Sequence, residues 1–293
     1  MTSAFALLED GQVVSERAGD LVVPWWSFGK SIIAAVALRL VEQGKLSLDR
    51  PLDDFNLSHL LRHQSGLRDY GGVEAYHAAV ADREAPWSRA ELLERSKAED
   101  LLFRPGEGWA YSNIGYLRIR ELIEEACGSG LGDAARDLLF RPMGLEGGRL
   151  ALLADDLAGV TMGDDAGYDP GWVYHGLFVG PLVEAARVLE GLLGATSPLS
   201  AWSLRLMAQR SALPWANRLP WLEAGYGMGV MLPTLRAGWA VLGHTGGGPG
   251  SQVAVYRRMS GAVRTAAAFA AVEGQDLVET RVVDLLHTEV GLT

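Results

Sequence analysis

The sequence predicts an α+β fold: an antiparallel sheet flanked by helices, built from both chain ends, with an inserted, mostly helical domain between them. Three observations predict it. Strand-like texture fills the first two dozen residues and returns after about residue 225. Helical stretches separated by Gly/Pro-rich connectors fill the middle. The length of 293 residues, with 48% hydrophobic and 21% charged, suits one large core or two closely packed ones. The expected division is a discontinuous sheet domain from 1–49 and 221–293, an insert from 50–220, and an active site at their interface.

Taken in order, "AFALLEDGQVVSERAG" (4–19) is two apolar runs around Asp10-Gly11, the strongest short hairpin signal. "SIIAAVALRLVEQGKL" (31–46) is apolar on nearly every helical face, so it reads as a buried helix, with Gly44 as its C-terminal stop. "RAELLERSK" (89–97), "YLRIRELIEEACG" (116–128) and "LVEAARVLEGLLG" (182–194) are helical, and "GDDAGYDPGW" (163–172) is a loop. Strands are expected at "YGMGVML" (226–232), "WAVLGHTG" (239–246), "SQVAVYRR" (251–258) and "RTAAAFAAV" (264–272). A closing helix is expected at "LVETRVVDLLHTEV" (277–290).

Composition excludes several functions. A formal net charge of -10 with no Lys/Arg cluster argues against nucleic acid or an anionic membrane as partner. No apolar run reaches the length of a membrane span. The single cysteine, Cys127, permits no intrachain disulfide, and "MTSAFALLEDGQ" lacks the basic start of a secretory leader. A cytoplasmic protein is therefore expected. His59 and His63 stand at metal-ligand spacing, but no H-E-x-x-H pattern or third ligand accompanies them, so neither metal nor cofactor is expected. The sequence does not fix an oligomeric state.

Three segments could carry chemistry. In "WWSFGKS" (25–31), Ser27 and Lys30 are three apart at the mouth of the buried helix. At that spacing two side chains share a helix face. Only three of the 26 basic residues are lysines (Lys30, Lys45 and Lys97). A desolvated lysine can become neutral and accept a serine proton, whereas arginine stays protonated. The plainer reading is a serine cap beside a solvated lysine. In "FRPGEGWAYSNIGYLRIREL" (103–122), Tyr111 could relay a proton and Asn113 could bind a substrate amide, or Asn113 could simply cap the next helix. In "VLGHTGGGPGSQVAVY" (241–256), His244-Thr245-Gly246 ends a strand before a glycine run. Backbone there can approach a ligand, pair with a peptide-like substrate or donate an oxyanion hydrogen bond. No G-x-S-x-G elbow occurs. In "YDPGWVYHGLF" (168–178), Trp172 and His175 could face the pocket, with core packing as the alternative.

Together, in this order, the segments resemble the S-x-x-K, Y-x-N and K/H-T-G motifs of the serine β-lactamase and penicillin-binding-protein superfamily, in its class C-like branch of β-lactamases, DD-peptidases and esterases. "LSHLLRHQSGLRDY" (57–70), "FRPGEGWAYSNIGY" and "YGMGV" followed by "GHTGGGPGS" extend the likeness over nearly the whole chain. The resemblance implies a β-lactamase/transpeptidase-like fold and a β-lactamase-like serine hydrolase that cleaves an ester, amide or β-lactam through an acyl-enzyme on Ser27. Lys30 and Tyr111 would share the proton work, and Asn113, His244, Thr245 and Gly246 would bind substrate. The backbone N–H groups of Ser27 and Gly247 would form the oxyanion hole. The chain departs from β-lactamases in having His244 where they carry lysine. A largely neutral imidazole cannot supply a fixed positive field for a substrate carboxylate. The interval from Tyr111 to His244 is also short for the branch. Histidine occurs here in some DD-peptidase and esterase relatives, so an esterase or D-amino-acid amidase or peptidase is the alternative. A non-catalytic ligand sensor or scaffold is the alternative of another class.

Overall fold

The computed structural model describes residues 2–163, 167–235 and 238–287. Residues 164–166 of the expected loop and 288–290 of the expected last helix lie outside the described residues.

The chain opens with strands β1 (Ser3–Glu9) and β2 (Gln12–Arg17). Asp10 and Gly11 join them at φ 48° and 79°. Both are left-handed, as a two-residue hairpin turn that follows the strand twist requires. A short β3 (Val22–Pro24) leads to α1 (Gly29–Glu42), which ends before Gly44 at φ 69°. Then come α2 (Leu57–Leu61), α3 (Asn113–Cys127), β4 (Arg149–Ala151), β5 (Leu177–Pro181) and α4 (Leu182–Leu193). The chain closes with β6 (Val241–Gly248), β7 (Ser251–Arg258), β8 (Arg264–Ala270) and α5 (Asp276–His287).

The main sheet has the order β6-β7-β8-β1-β2 and is antiparallel throughout. Its centre joins the two chain ends, with Ser3 opposite Ala270 and Glu9 opposite Arg264. Successive side chains of a strand point to opposite faces. Ala4, Ala6, Leu8, Val255, Ala267 and Phe269 accordingly join the core of α1 and α4. Leu7, Ala254, Tyr256, Ala266 and Ala268 pack with Val278, Val282 and Leu286 of α5. Both faces are covered, and β8 is mostly alanine (Ala266–Ala268, Ala270), which lets helices close on it from both sides.

α1 lies at the centre. Gly29 through Leu38 and Leu40 are all buried, each large aliphatic side chain among them contributing about 1.5–3 kcal/mol. A second sheet, β3-β5-β4, holds the approach to α1. α4 falls within 50–220 by sequence, yet it packs on β1 and β8. Its buried stripe of Ala185, Ala186, Val188, Leu189 and Leu192 suits the alanine-rich sheet, so the packing of this helix does not follow the chain division at 221.

The stretch expected as a strand at 226–232 is mostly not one. Gly225–Tyr226 pairs with Ser211–Ala212, Tyr226 and Met231 bridge across a tight turn, and Met231 forms an isolated bridge to Gly243 of β6. Gly229 explains the break. It sits at φ 72° against α1, where a Cβ would collide with Ala34 and the Lys30 carbonyl, and its own carbonyl accepts from Ser31 Oγ at 2.7 Å. No described helix is long and apolar enough to cross a membrane.

Candidate active site

The site forms where the start of α1, the edge strand β6 and the connector into α3 meet. Between Val23 and Leu38 every residue is buried except Ser27, which is half-buried. Ser27 lies in a 3-10 turn, Trp26–Phe28, just before α1. Its hydroxyl caps nothing: neither the turn nor α1 has a side-chain cap. Trp26, the residue before it, holds φ 40°, a left-handed conformation that costs a bulky residue about 1–3 kcal/mol. Its ring compensates by packing edge-on against Tyr168 at 5.7 Å, and its indole N–H donates to Ser251 Oγ at 3.2 Å. Trp25 turns the other way and packs in the core, its N–H donating to the Gly180 carbonyl.

At the second position of α1, Lys30 is fully buried, with Nζ 3.2 Å from Ser27 Oγ and 3.0 Å from His175 Nε2. The rings of Tyr111 and Tyr116 lie 5.0 and 5.5 Å from Nζ. Burial brings its pKa down to about 7, against the upward pull of Asp69. The amine is therefore free to accept a proton near neutral pH.

Tyr111 also reaches Ser27 Oγ, its hydroxyl donating at 3.0 Å. Burial raises its pKa well above the ordinary value, so it remains a hydroxyl. The connector is pinned by its neighbours. Ser112, not Asn113, caps α3, accepting from Gly115 N and donating to the Arg68 carbonyl, while Asn113 N donates to Asp69 Oδ1. The Asn113 amide is thereby left unused by the helix.

The third motif is divided by strand alternation. Gly246 lies against Ser27, where a Cβ would collide with Ser27 N and Trp26 Cβ, and Gly247 and Gly248 line the cavity beyond it. His244 is on the same face but fully buried behind Tyr111, with ring centroids 6.4 Å apart, and it does not line the cavity. Its hydrogen bonds have one consistent direction. Ser112 N–H donates to His63 Nδ1 at 3.1 Å, so the His63 proton is on Nε2, which donates to Tyr226 OH at 3.1 Å. Tyr226 donates in turn to His244 Nε2 at 3.2 Å, and His244 Nδ1–H donates to the Thr245 carbonyl at 2.7 Å. Burial and the Lys30 charge push the His244 pKa down to about 3, so it is neutral.

Thr245, expected among the substrate-binding residues, sends its side chain away from the cavity. It points through to the α5 face, donating to buried Glu279 at 2.7 Å and lying 2.9 Å from Tyr256 OH. Period-two alternation puts His244 and Gly246 on one face and Thr245 on the other.

A cavity of about 510 Å³ opens over Ser27. Of the expected residues, Ser27, Asn113, Gly247 and His175 line it, with walls from Trp26, Tyr70, Tyr76, Tyr168, Gln252 and Glu273. Trp172 does not. It is buried among Tyr76, Trp87 and Tyr174, with its N–H on the Glu84 carbonyl, so the packing alternative holds for it. Three buried polar atoms of lining residues lack a hydrogen-bond partner among the described residues: Asn113 Oδ1, Gln252 Oε1 and His175 Nδ1. Reading the sequence missed His63, Tyr226 and the tyrosine walls. His63 was marked by "LLRHQSGL" and the tyrosines by no local pattern. Both His63 nitrogens are taken by Ser112 and Tyr226. Among the described residues no group of three His, Cys, Asp or Glu could hold a metal ion.

A family model described as Beta-lactamase matches residues 2–279. Penicillin-binding protein 4* of Bacillus subtilis is 33% identical over 130 residues, covering 41% of this chain and 28% of that protein. A D-aminopeptidase of Cereibacter sphaeroides is 26% identical over 269 residues, covering 82% of this chain and 51% of that protein. The matches thus span about half or less of the length of these curated relatives. Among solved structures, the D-amino acid amidase from Ochrobactrum anthropi SV3 superimposes with a TM-score of 0.80 at 22% identity, covering 97% of this chain and 94% of that one.

Proposed function

The chain belongs to the Beta-lactamase family, and on that premise we propose that it is a metal-independent serine hydrolase working through an acyl-enzyme on Ser27. The observation that carries this reading is the convergence of Lys30 Nζ and Tyr111 OH on Ser27 Oγ, at 3.2 and 3.0 Å, with Lys30 brought to a pKa of about 7. Neutral Lys30 accepts the Ser27 proton as Oγ attacks the carbonyl carbon. Tyr111, held as a hydroxyl, donates to Oγ and passes the proton from Lys30 to the leaving group as the tetrahedral intermediate collapses. The N–H groups of Ser27 and Gly247 receive the oxyanion, which the close approach of β6 at Gly246 supports. Water then repeats the sequence in reverse on the ester.

The substrate is a small amide or ester, and a D-amino-acid amide or short peptide is the leading class because relatives of that description share the fold and sequence. β-Lactam hydrolysis is the lesser activity. His244 is neutral and out of the cavity, Thr245 faces Glu279, and among the described residues no lysine or arginine lines the cavity to hold a carboxylate. A cytoplasmic location is part of the proposal, supported by a single cysteine that needs no oxidising compartment; cell fractionation tests it. A non-catalytic sensor is disfavoured because Ser27, Lys30 and Tyr111 are all present and in reach of one another.

Intact-mass spectrometry after incubation with an activated ester or a β-lactam tests the chemistry. The expected result is one covalent adduct, absent in Ser27→Ala; an adduct that persists in that variant overturns the proposal. Side-by-side rates on a nitrophenyl ester, a D-amino-acid nitroanilide and a chromogenic cephalosporin divide the substrate classes.

A further inference from the structure

We propose that His175 is a positioning residue for Lys30, holding one N–H of the amine so that its lone pair faces Ser27 Oγ. The inference rests on the serine-hydrolase reading and adds to it a residue outside the three motifs. A buried primary amine with few partners can rotate about its last bond, and only one orientation presents its lone pair to the serine hydroxyl. Among the described residues Nζ hydrogen-bonds to Ser27 Oγ at 3.2 Å and to His175 Nε2 at 3.0 Å. The rings of Tyr111 and Tyr116 lie beside it.

The imidazole suits this task. His175 is buried at the end of the loop that enters β5, and its backbone is followed by Gly176 at φ 107°, where a Cβ would press on Leu150 and Leu131. The ring is thus presented to Lys30 by a constrained segment. It stays neutral, because burial and the Lys30 charge both oppose its protonation, so Nε2 keeps a lone pair to accept the Lys30 N–H. Nδ1 then carries the proton and has no partner among the described residues, although the ring lines the cavity.

The charged and titratable groups around the pair are few. Asp69, on the connector after α2, is the opposing charge that acts on Lys30 among the described residues. His63, His244 on β6 and Arg120 on α3 act on His175 from the other sides, all disfavouring a second positive charge there. Tyr111 and Tyr116 face Nζ as neutral rings.

The test is the pH profile of acylation by p-nitrophenyl acetate, from about pH 5 to about pH 9, for the wild type, His175→Ala and His175→Gln. The glutamine amide oxygen falls near the place of Nε2. For His175→Ala we expect kcat at least about tenfold down with KM within about twofold, since a misdirected base loses rate rather than binding. Its acid limb should move upward, because water entering the vacated space re-solvates the ammonium form. His175→Gln should restore most of the rate and return the acid limb towards the wild-type position. An unmoved acid limb in His175→Ala, or a glutamine variant no better than alanine despite an unchanged melting temperature, overturns the inference while leaving the hydrolase reading intact. A wild type that forms no Ser27 ester overturns both.

Discussion

The start of α1 and the edge of β6 meet at the same residue, Ser27, and they contribute to it in opposite ways. α1 delivers side chains: Ser27 and Lys30 stand 3.2 Å apart, and neither is engaged by the helix itself. β6 delivers backbone. The His244 side chain is taken by Tyr226 and by the Thr245 carbonyl, the Thr245 side chain by Glu279, and what reaches Ser27 is the bare chain at Gly246, with Gly247 lining the cavity beside it. The difference teaches that a motif can be spelled in full while only part of it reaches the cavity. On the proposed reading the helix motif does the chemistry, and most of the strand motif holds the strand in place.

The sharpest way to break this comparison is Lys30→Arg. Guanidinium stays protonated, so acylation should fall by about a thousandfold or more in a stopped-flow assay. A variant retaining a tenth of the wild-type rate would remove Lys30 as base. Gly246→Ala comes next. The added Cβ collides with Ser27 N, and a displaced nucleophile should lose about a hundredfold in kcat/KM. The pH profile should then show Lys30 directly. Its pKa is lowered to about 7, so the neutral, active form prevails above that pH. kcat/KM should fall about tenfold per unit as pH drops below it, and a profile flat to about pH 5 would contradict the assignment. Tyr226→Phe removes a hydroxyl with two histidine partners. It should cost about 1–3 kcal/mol in urea melts, with roughly tenfold lost activity as the strand edge relaxes. The smallest effect on rate is expected from Thr245→Val, within about threefold of wild type, alongside about 1–3 kcal/mol of lost stability from the missing hydrogen bond to Glu279, which keeps its ion pair with Arg218. If Thr245→Val instead abolished acylation in a fully stable protein, the division between chemical helix and structural strand would fail.

Much of this was legible before any coordinates. The hairpin at Asp10-Gly11, the buried α1 and the three closing strands follow local rules of turn chemistry and periodicity. The convergence of Ser27, Lys30 and Tyr111 was legible through spacing and resemblance together. The side of β6 on which each motif residue falls depends on register, and a one-residue change of register reverses it. For the same reason the sequence did not turn Thr245 away from substrate. The irregular run at 226–232 escaped because its cause, the close approach of Gly229 to α1, is a tertiary contact between residues far apart in sequence. Tyr70, Tyr76 and Tyr168 likewise become a cavity wall only once separate loops are folded together.

The left-handed Trp26 has a consequence for anyone wishing to change what the protein acts on. Its ring is at once a wall of the cavity and the wedge that sets the backbone immediately before the nucleophile. Recasting that wall would disturb the reacting atom with it. Tyr70 and Tyr76 line the same space but belong to a separate segment of chain, so diversity introduced there can reshape selectivity while the reactive centre keeps its place. One side of the cavity is open to redesign, and the other is tied to turnover.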